Sequence, residues 1–103
     1  MDDHPLEVYP GPGFWDELRA ELARTEAASV ERFDRAELPW VLDRFRLYWH
    51  ALPPVLDEYP HRRFAEFGSL DAYRFTVDGW MHTSGRIELV DIQIITWEWP
   101  DTQ

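Results

Sequence analysis

The chain contains no cysteine and no lysine among its 103 residues. The absence of cysteine excludes disulfide bonds, thiol nucleophiles and cysteine-based zinc sites. The absence of lysine excludes Schiff-base chemistry and lysine nucleophiles. No apolar run approaches the roughly 20 residues that a transmembrane helix needs. Since no signal peptide is recognisable near Met1, we expect a cytoplasmic protein with no membrane association.

Positive charge is scarce. Ten arginines oppose 20 aspartates and glutamates, which gives a formal net charge of −10. Nucleic-acid binding draws most of its affinity from basic side chains that neutralise phosphates, so direct nucleic-acid binding is not expected. An acidic surface instead favours a protein partner, for which a basic protein is the natural candidate.

Specific catalytic motifs are also lacking. The sequence has no glycine-rich phosphate loop and no nucleophile elbow of the G-x-S-x-G type. Its histidines and acids do not form a repeated metal-ligand pattern. The sequence therefore predicts no cofactor and no metal site, and it favours a non-enzymatic protein.

Apolar and aromatic residues are plentiful, at 45% and 16% of the chain. This content and length predict a single domain over residues 1–103. The densest β-branched and aromatic run extends from Leu70 to Trp99, and helical spacing of apolar residues precedes it. We expect an α+β fold in which two helices pack on a three- to four-stranded antiparallel sheet, with Leu6–Tyr9 as a candidate N-terminal edge strand.

Proline, glycine and capping residues give the expected helix limits. The first helix begins at Phe14 and ends near Ala28, with an extension to Phe33 left open. Asp34 stands three residues before Glu37, which is the spacing of a capping box, so it predicts the start of the second helix. Pro53-Pro54 ends that helix.

Two turn signals divide the last third of the chain. Asp78-Gly79 and Ser84-Gly85 each predict a tight two-residue turn. The resulting register puts Trp80 and His82 on the core face of the sheet, whereas an ordinary loop over this region gives another register. The apolar residues of the last strand change faces along it, which predicts a bulge or strong twist near its end.

The candidate binding residues lie at two irregular places. Trp97 and Trp99 flank Glu98 near the end of the last strand, where exposed aromatic side chains are typical interface anchors. The alternative for both tryptophans is a position in the core under the first helix. Trp80 and Asp78 mark the other place, beside the predicted turns.

The chain resembles the small toxins of the RelE/ParE superfamily in its order of strand, two helices and antiparallel strands. The residues that carry the resemblance are LEVYPGPGFWDELRAEL near the start, then YRFTVDGW and GRIELVDIQI. The resemblance implies a ribosome-dependent endoribonuclease, in which Arg74, His82, Arg86 and Glu88 would be the catalytic residues. Members of this family have a basic surface, whereas this chain has a net negative charge. They also end in a basic segment, where this chain has Thr96-Trp97-Glu98-Trp99. This departure predicts a degenerate or repurposed member.

Three functional hypotheses follow. The first is an acidic binding module that inhibits or sequesters a protein partner, like an immunity protein, an antitoxin-like factor or a phage-encoded inhibitor. The second is a RelE-like endoribonuclease. The third is a structural homodimer joined through the strand edge at Trp97 and Trp99.

Overall fold

The computed structural model describes residues 6–25, 30–70 and 73–95. Strand β1 is Val8–Pro10 and helix α1 is Pro12–Thr25. A helical stretch then comprises α2 (Val30–Arg32), a π-helical turn (Phe33–Glu37), α3 (Leu38–Tyr48) and a 3₁₀ turn (Trp49–Ala51). The remaining strands are β2 (Arg62–Leu70), β3 (Tyr73–Met81) and β4 (Ile87–Ile95). The α+β class is confirmed. Within these described ranges, no helix combines the length and apolar character needed to cross a membrane.

The sheet has four strands in the order β1-β4-β3-β2. Strands β2, β3 and β4 pair antiparallel, but β1 pairs parallel with β4. The prediction of a purely antiparallel sheet is therefore wrong. A strand joined to its neighbour by a long connection can return in the parallel direction, and here two strands and all the helices separate β1 from β4. The N-terminal edge strand is confirmed, at Val8–Pro10.

The second helical stretch begins earlier than its capping pattern predicts. Val30 is already helical, so Asp34 lies inside a helix and the predicted capping box is wrong. Phe33 explains the extension, because its fully buried ring lies 5.6 Å from the ring of Phe75 and 6.2 Å from that of Phe14. Burial of this aromatic contact outweighs the local preference for a cap at Asp34.

Strand β4 contains one extra residue in its middle. Asp78 pairs with Asp91, but the next residue, Gly79, pairs with Leu89, so Val90 has no partner in the register. The bulge that the sequence predicts is confirmed, although it lies mid-strand. It changes the inward-facing positions from odd to even, and the buried residues of the strand are Ile87, Leu89, Ile92 and Ile94.

The predicted tight turn at Asp78-Gly79 is wrong, because both residues lie within β3. Gly79 allows α3 to pack closely against the sheet, because a Cβ atom at this position would lie only 2.8 Å from the ring of Phe45 in α3. The glycine thus permits close approach of a helix instead of a reversal of the chain. The chain does reverse at the second turn signal, but the loop has three residues, Thr83 to Gly85, and not two. The His82 carbonyl accepts a hydrogen bond from the Gly85 amide, the His82 amide donates to the Arg86 carbonyl, and Gly85 has a φ of 91°.

Helix α1 closes the exposed edge of β4 with two side chains. The Glu21 carboxylate accepts a 2.7 Å hydrogen bond from the Ile94 amide, and the Arg24 guanidinium donates one of 2.8 Å to the Ile94 carbonyl. Burial alone would raise the pKa of Glu21, but the hydrogen bonds from Arg24 and Ile94 and the charge of Arg24 together lower it. A charged pair therefore occupies the place of a neighbouring strand.

Candidate functional site

A row of side chains crosses the outer face of the sheet, opposite the core. In the register, Arg62 of β2 pairs with Trp80 of β3, which pairs with Glu88 of β4, which pairs with Tyr9 of β1. Residues in register share a face, so the four strands bring these side chains to one end of the sheet.

Trp80 forms a wall shared by two grooves at this end. The first groove has a volume of about 260 Å³ and is bounded by the loop that precedes β2. Its lining is almost wholly apolar apart from Arg62, and comprises Val55, Leu56, Tyr59, Arg62 and Trp80. The four apolar side chains are between 38% and 56% exposed. They form the cluster that we call the Trp80 cluster: Val55, Leu56, Tyr59 and Trp80.

The second groove, of about 410 Å³, lies on the other side of Trp80 and is more polar. Two imidazoles and the turn between β3 and β4 contribute to it, and its lining comprises His61, Trp80, Met81, His82, Thr83 and Gly85. His61 is held beside β3 because its carbonyl accepts a 2.9 Å hydrogen bond from the Met81 amide.

His82 and Glu88 form a hydrogen-bonded pair at the second groove. The distance from His82 Nε2 to Glu88 Oε1 is 2.9 Å, and both side chains are partly buried. The other Glu88 oxygen lies against Gly11, where any side chain would collide with it. An imidazole oriented by a fixed carboxylate is an arrangement able to accept or donate a proton.

Asp78 lies beside Arg62, two residues before Trp80. Its carboxylate accepts a 3.1 Å hydrogen bond from the Arg62 guanidinium and faces Asp91 across the strand pair. Burial, assisted by the charge of Asp91, raises the pKa of Asp78 in spite of its bond to Arg62. The charged form of Asp78 therefore destabilises the folded protein.

The structure gathers only part of the proposed nuclease residues. His82 and Glu88 are together. The predicted register, which puts Trp80 and His82 on the core face, is wrong: β3 runs through Asp78-Gly79 to Met81, so both side chains face outward. Arg86 follows the turn, with its guanidinium 4.5 Å from the Tyr9 ring centre and 3.3 Å from Glu7. Arg74 is at the opposite end of β3, where it pairs with Glu66 at 2.8 Å.

Only two of the predicted binding residues are found at this site. Trp80 and Asp78 lie at this end of the sheet, whereas Trp97, Glu98 and Trp99 fall outside the described residues. Sequence reasoning missed the loop residues of the Trp80 cluster. A signal existed, because Val55, Leu56 and Tyr59 lie between Pro54 and Pro60, in a loop too short to bury three large apolar side chains.

Within the described ranges, no three or more histidine, aspartate or glutamate side chains cluster so that they could hold a metal ion. Comparison of the chain with models of protein families, with curated proteins and with solved structures finds no match. The site is therefore interpreted from its own geometry and chemistry.

We predict that Asp78→Asn favours the folded state more at pH 7 than at pH 3. Because the folded pKa of Asp78 is raised, its charged form destabilises the fold above that pKa, and protonation removes the penalty as the pH falls. Urea unfolding of wild type and variant across this range measures the difference. Asp57→Asn, at an exposed carboxylate, controls for net charge. A difference between Asp78→Asn and wild type that grows on acidification would contradict the prediction.

Proposed function

We propose that the protein is a non-enzymatic, acidic binding module that inhibits or sequesters a basic protein partner. The observation that carries this proposal is the Trp80 cluster, an exposed apolar groove at one end of the sheet. Exposed apolar side chains that converge on a groove are typical of protein interfaces.

The composition of the groove suits an interface anchor. Trp80 and Tyr59 present large, stiff rings, and both are partly exposed on a rigid strand or a proline-bounded loop. Such residues contribute disproportionately to binding, because each buries a large area and loses little conformational entropy. The groove between them would receive an apolar side chain of the partner.

Acidic side chains on the loop that forms part of this groove indicate the charge of the partner. Asp57 and Glu58 are exposed on the loop that carries Leu56 and Tyr59. An apolar centre with a charged rim is the usual arrangement of a protein interface. With a net charge of −10, the chain attracts a basic partner at long range.

The nearby arginines have partners within the chain, which favours protein binding over phosphate binding. Arg62 pairs with Asp78 and Arg86 pairs with Glu7. Arg63 donates to the carbonyls of Pro60 and Trp49. A phosphodiester in either groove would have to compete with these contacts for each guanidinium.

The His82–Glu88 pair favours a second candidate function, the RelE-like endoribonuclease. His82 would act as the base that removes the proton of a ribose 2′-hydroxyl, with Glu88 orienting the imidazole. Arg74 lies too far along β3 to take part at this groove. A third proposal is the structural homodimer joined through Trp97 and Trp99. Both residues lie outside the described part of the chain.

The nuclease candidate predicts RNA cleavage that depends on His82. Purified protein would be incubated with ribosomes and messenger RNA, and with free single-stranded RNA, and cleavage sites would be mapped. Cleavage by wild type that is lost in His82→Ala, with His50→Ala as a control at an exposed histidine, would support the nuclease and contradict the binding module. Under our proposal, none of these proteins cleaves RNA.

The binding module predicts that a basic partner is recovered from an extract of the source organism and that Trp80 and Tyr59 anchor it. We expect Trp80→Ala with Tyr59→Ala to weaken the purified pair by about 2 kcal/mol or more, which is roughly 30-fold in Kd. Leu47→Ala is the matched control, because Leu47 is 62% exposed but lines neither groove. Equal affinity of wild type and double variant, measured by calorimetry, would exclude the Trp80 cluster as the interface.

A further inference from the structure

The outer edge of β2 has backbone groups that the sheet does not use. The amide of Arg62 donates to the Tyr59 carbonyl, and the amide of Phe64 donates to that of Pro53, both on the side away from β3. Because backbone groups alternate sides along a strand, the N–H and C=O of Glu66 also face away from β3. The register of β2 against β3 shifts between Phe67 and Leu70, so the regular alternation ends at Phe67.

The segment before β2 covers this edge only at its beginning. Pro54 forms a bridge with Arg63, and the Val55 amide donates to the Arg62 carbonyl. Pro53 has no N–H, so this segment offers no donor to the Phe64 carbonyl, and the pairing ends there. Over the described part of the chain, no backbone hydrogen bond outside the sheet reaches Glu66 or Gly68.

The opposite edge of the sheet is treated differently. Strand β1 covers the first part of β4, the Gly11 amide donates to the Leu89 carbonyl, and Glu21 with Arg24 satisfies Ile94. Proteins commonly block open edges because these pair with other strands. The open part of β2, from Phe64 to Phe67, is thus the place where another strand can be added.

Side chains around this open edge indicate what such a strand would contain. On the helix side, Trp40 of α3 is 47% exposed and packs edge-on against Phe67, with ring centres 5.4 Å apart. On the outer side, Glu66 is exposed, and Arg74 of β3 donates a 2.8 Å hydrogen bond to its Oε1. Apolar residues would fit beside Trp40, and a basic residue opposite Glu66 would be a second cationic partner of its carboxylate.

We propose that the open edge of β2 binds an extended segment of a basic partner protein as an added antiparallel strand. Five residues suffice to pair with the Phe64 carbonyl and both backbone groups of Glu66. The added strand would alternate apolar residues beside Trp40 with a central basic residue opposite Glu66. A second copy of this chain is the less suitable occupant, because it brings another net charge of −10.

The test uses the peptide acetyl-Thr-Val-Lys-Val-Thr-amide as the probe and the full, isotopically labelled protein. We expect saturable amide shifts along β2, and hydrogen exchange at Glu66 that slows about tenfold at ten times Kd. The control peptide carries a methyl group on the backbone nitrogen of its lysine, which removes the donor to the Glu66 carbonyl, and it should not bind.

A matched pair of variants completes the test. Glu66→Ala keeps the outward amide donor of this position and is the reference variant. Glu66→Pro lacks that donor, and it should bind the peptide at least tenfold more weakly than Glu66→Ala does, because an edge strand accepts a proline where the amide faces away from the sheet. Trp80→Ala should leave peptide binding unchanged, which separates this edge from the Trp80 cluster.

Three results would overturn the proposal. The first is an absence of saturable shifts with the lysine peptide, and the second is equal binding of the methylated peptide. Neither depends on a variant that fails to fold. The third is slowed exchange at Glu66 that appears without peptide and grows with protein concentration alongside a rising mass in solution, which would identify a second copy of the chain as the occupant.

Discussion

The extra residue in strand β4 is the constraint on which the rest of the structure depends. Val90 shifts the strand by one position, so Ile87 and Leu89 before it and Ile92 and Ile94 after it all face the core. Without the bulge, one of these two apolar pairs would point to solvent. At about 25 cal/mol per Å² of apolar surface, exposing two isoleucines would cost several kcal/mol, which is a large part of the stability of a small domain.

The same shift determines the chemistry of the outer face. With Gly79 opposite Leu89 and Trp80 opposite Glu88, one end of the sheet collects an indole and a hydrogen-bonded His82–Glu88 pair. The loop before β2 adds Tyr59 and completes the apolar groove. The acidic and apolar character of this end, with its arginines already paired, is the physical basis for favouring a protein partner over a nucleic acid.

The sequence predicted those features that depend on local pattern. The α+β class, the N-terminal edge strand, the bulge and the Ser84-Gly85 turn each follow from spacing or from one residue's conformational preference. The failures have tertiary causes. Asp78-Gly79 has the composition of a turn, but Gly79 is there because Phe45 packs against it. The predicted face of His82 is wrong because it depends on a turn at Asp78-Gly79 that does not form. The direction of β1 depends on its long-range pairing with β4, which no local pattern encodes.

The register of β3 against β4 is the central claim, and cross-strand nuclear Overhauser effects test it most directly. We expect contacts between the backbone protons of Thr76 and Gln93 and between those of Met81 and Ile87, with a break at Val90. Contacts between Val77 and Trp80, as in a tight turn at Asp78-Gly79, would contradict it. In that case His82 would face the core, and the candidate site on the outer face of the sheet would not exist.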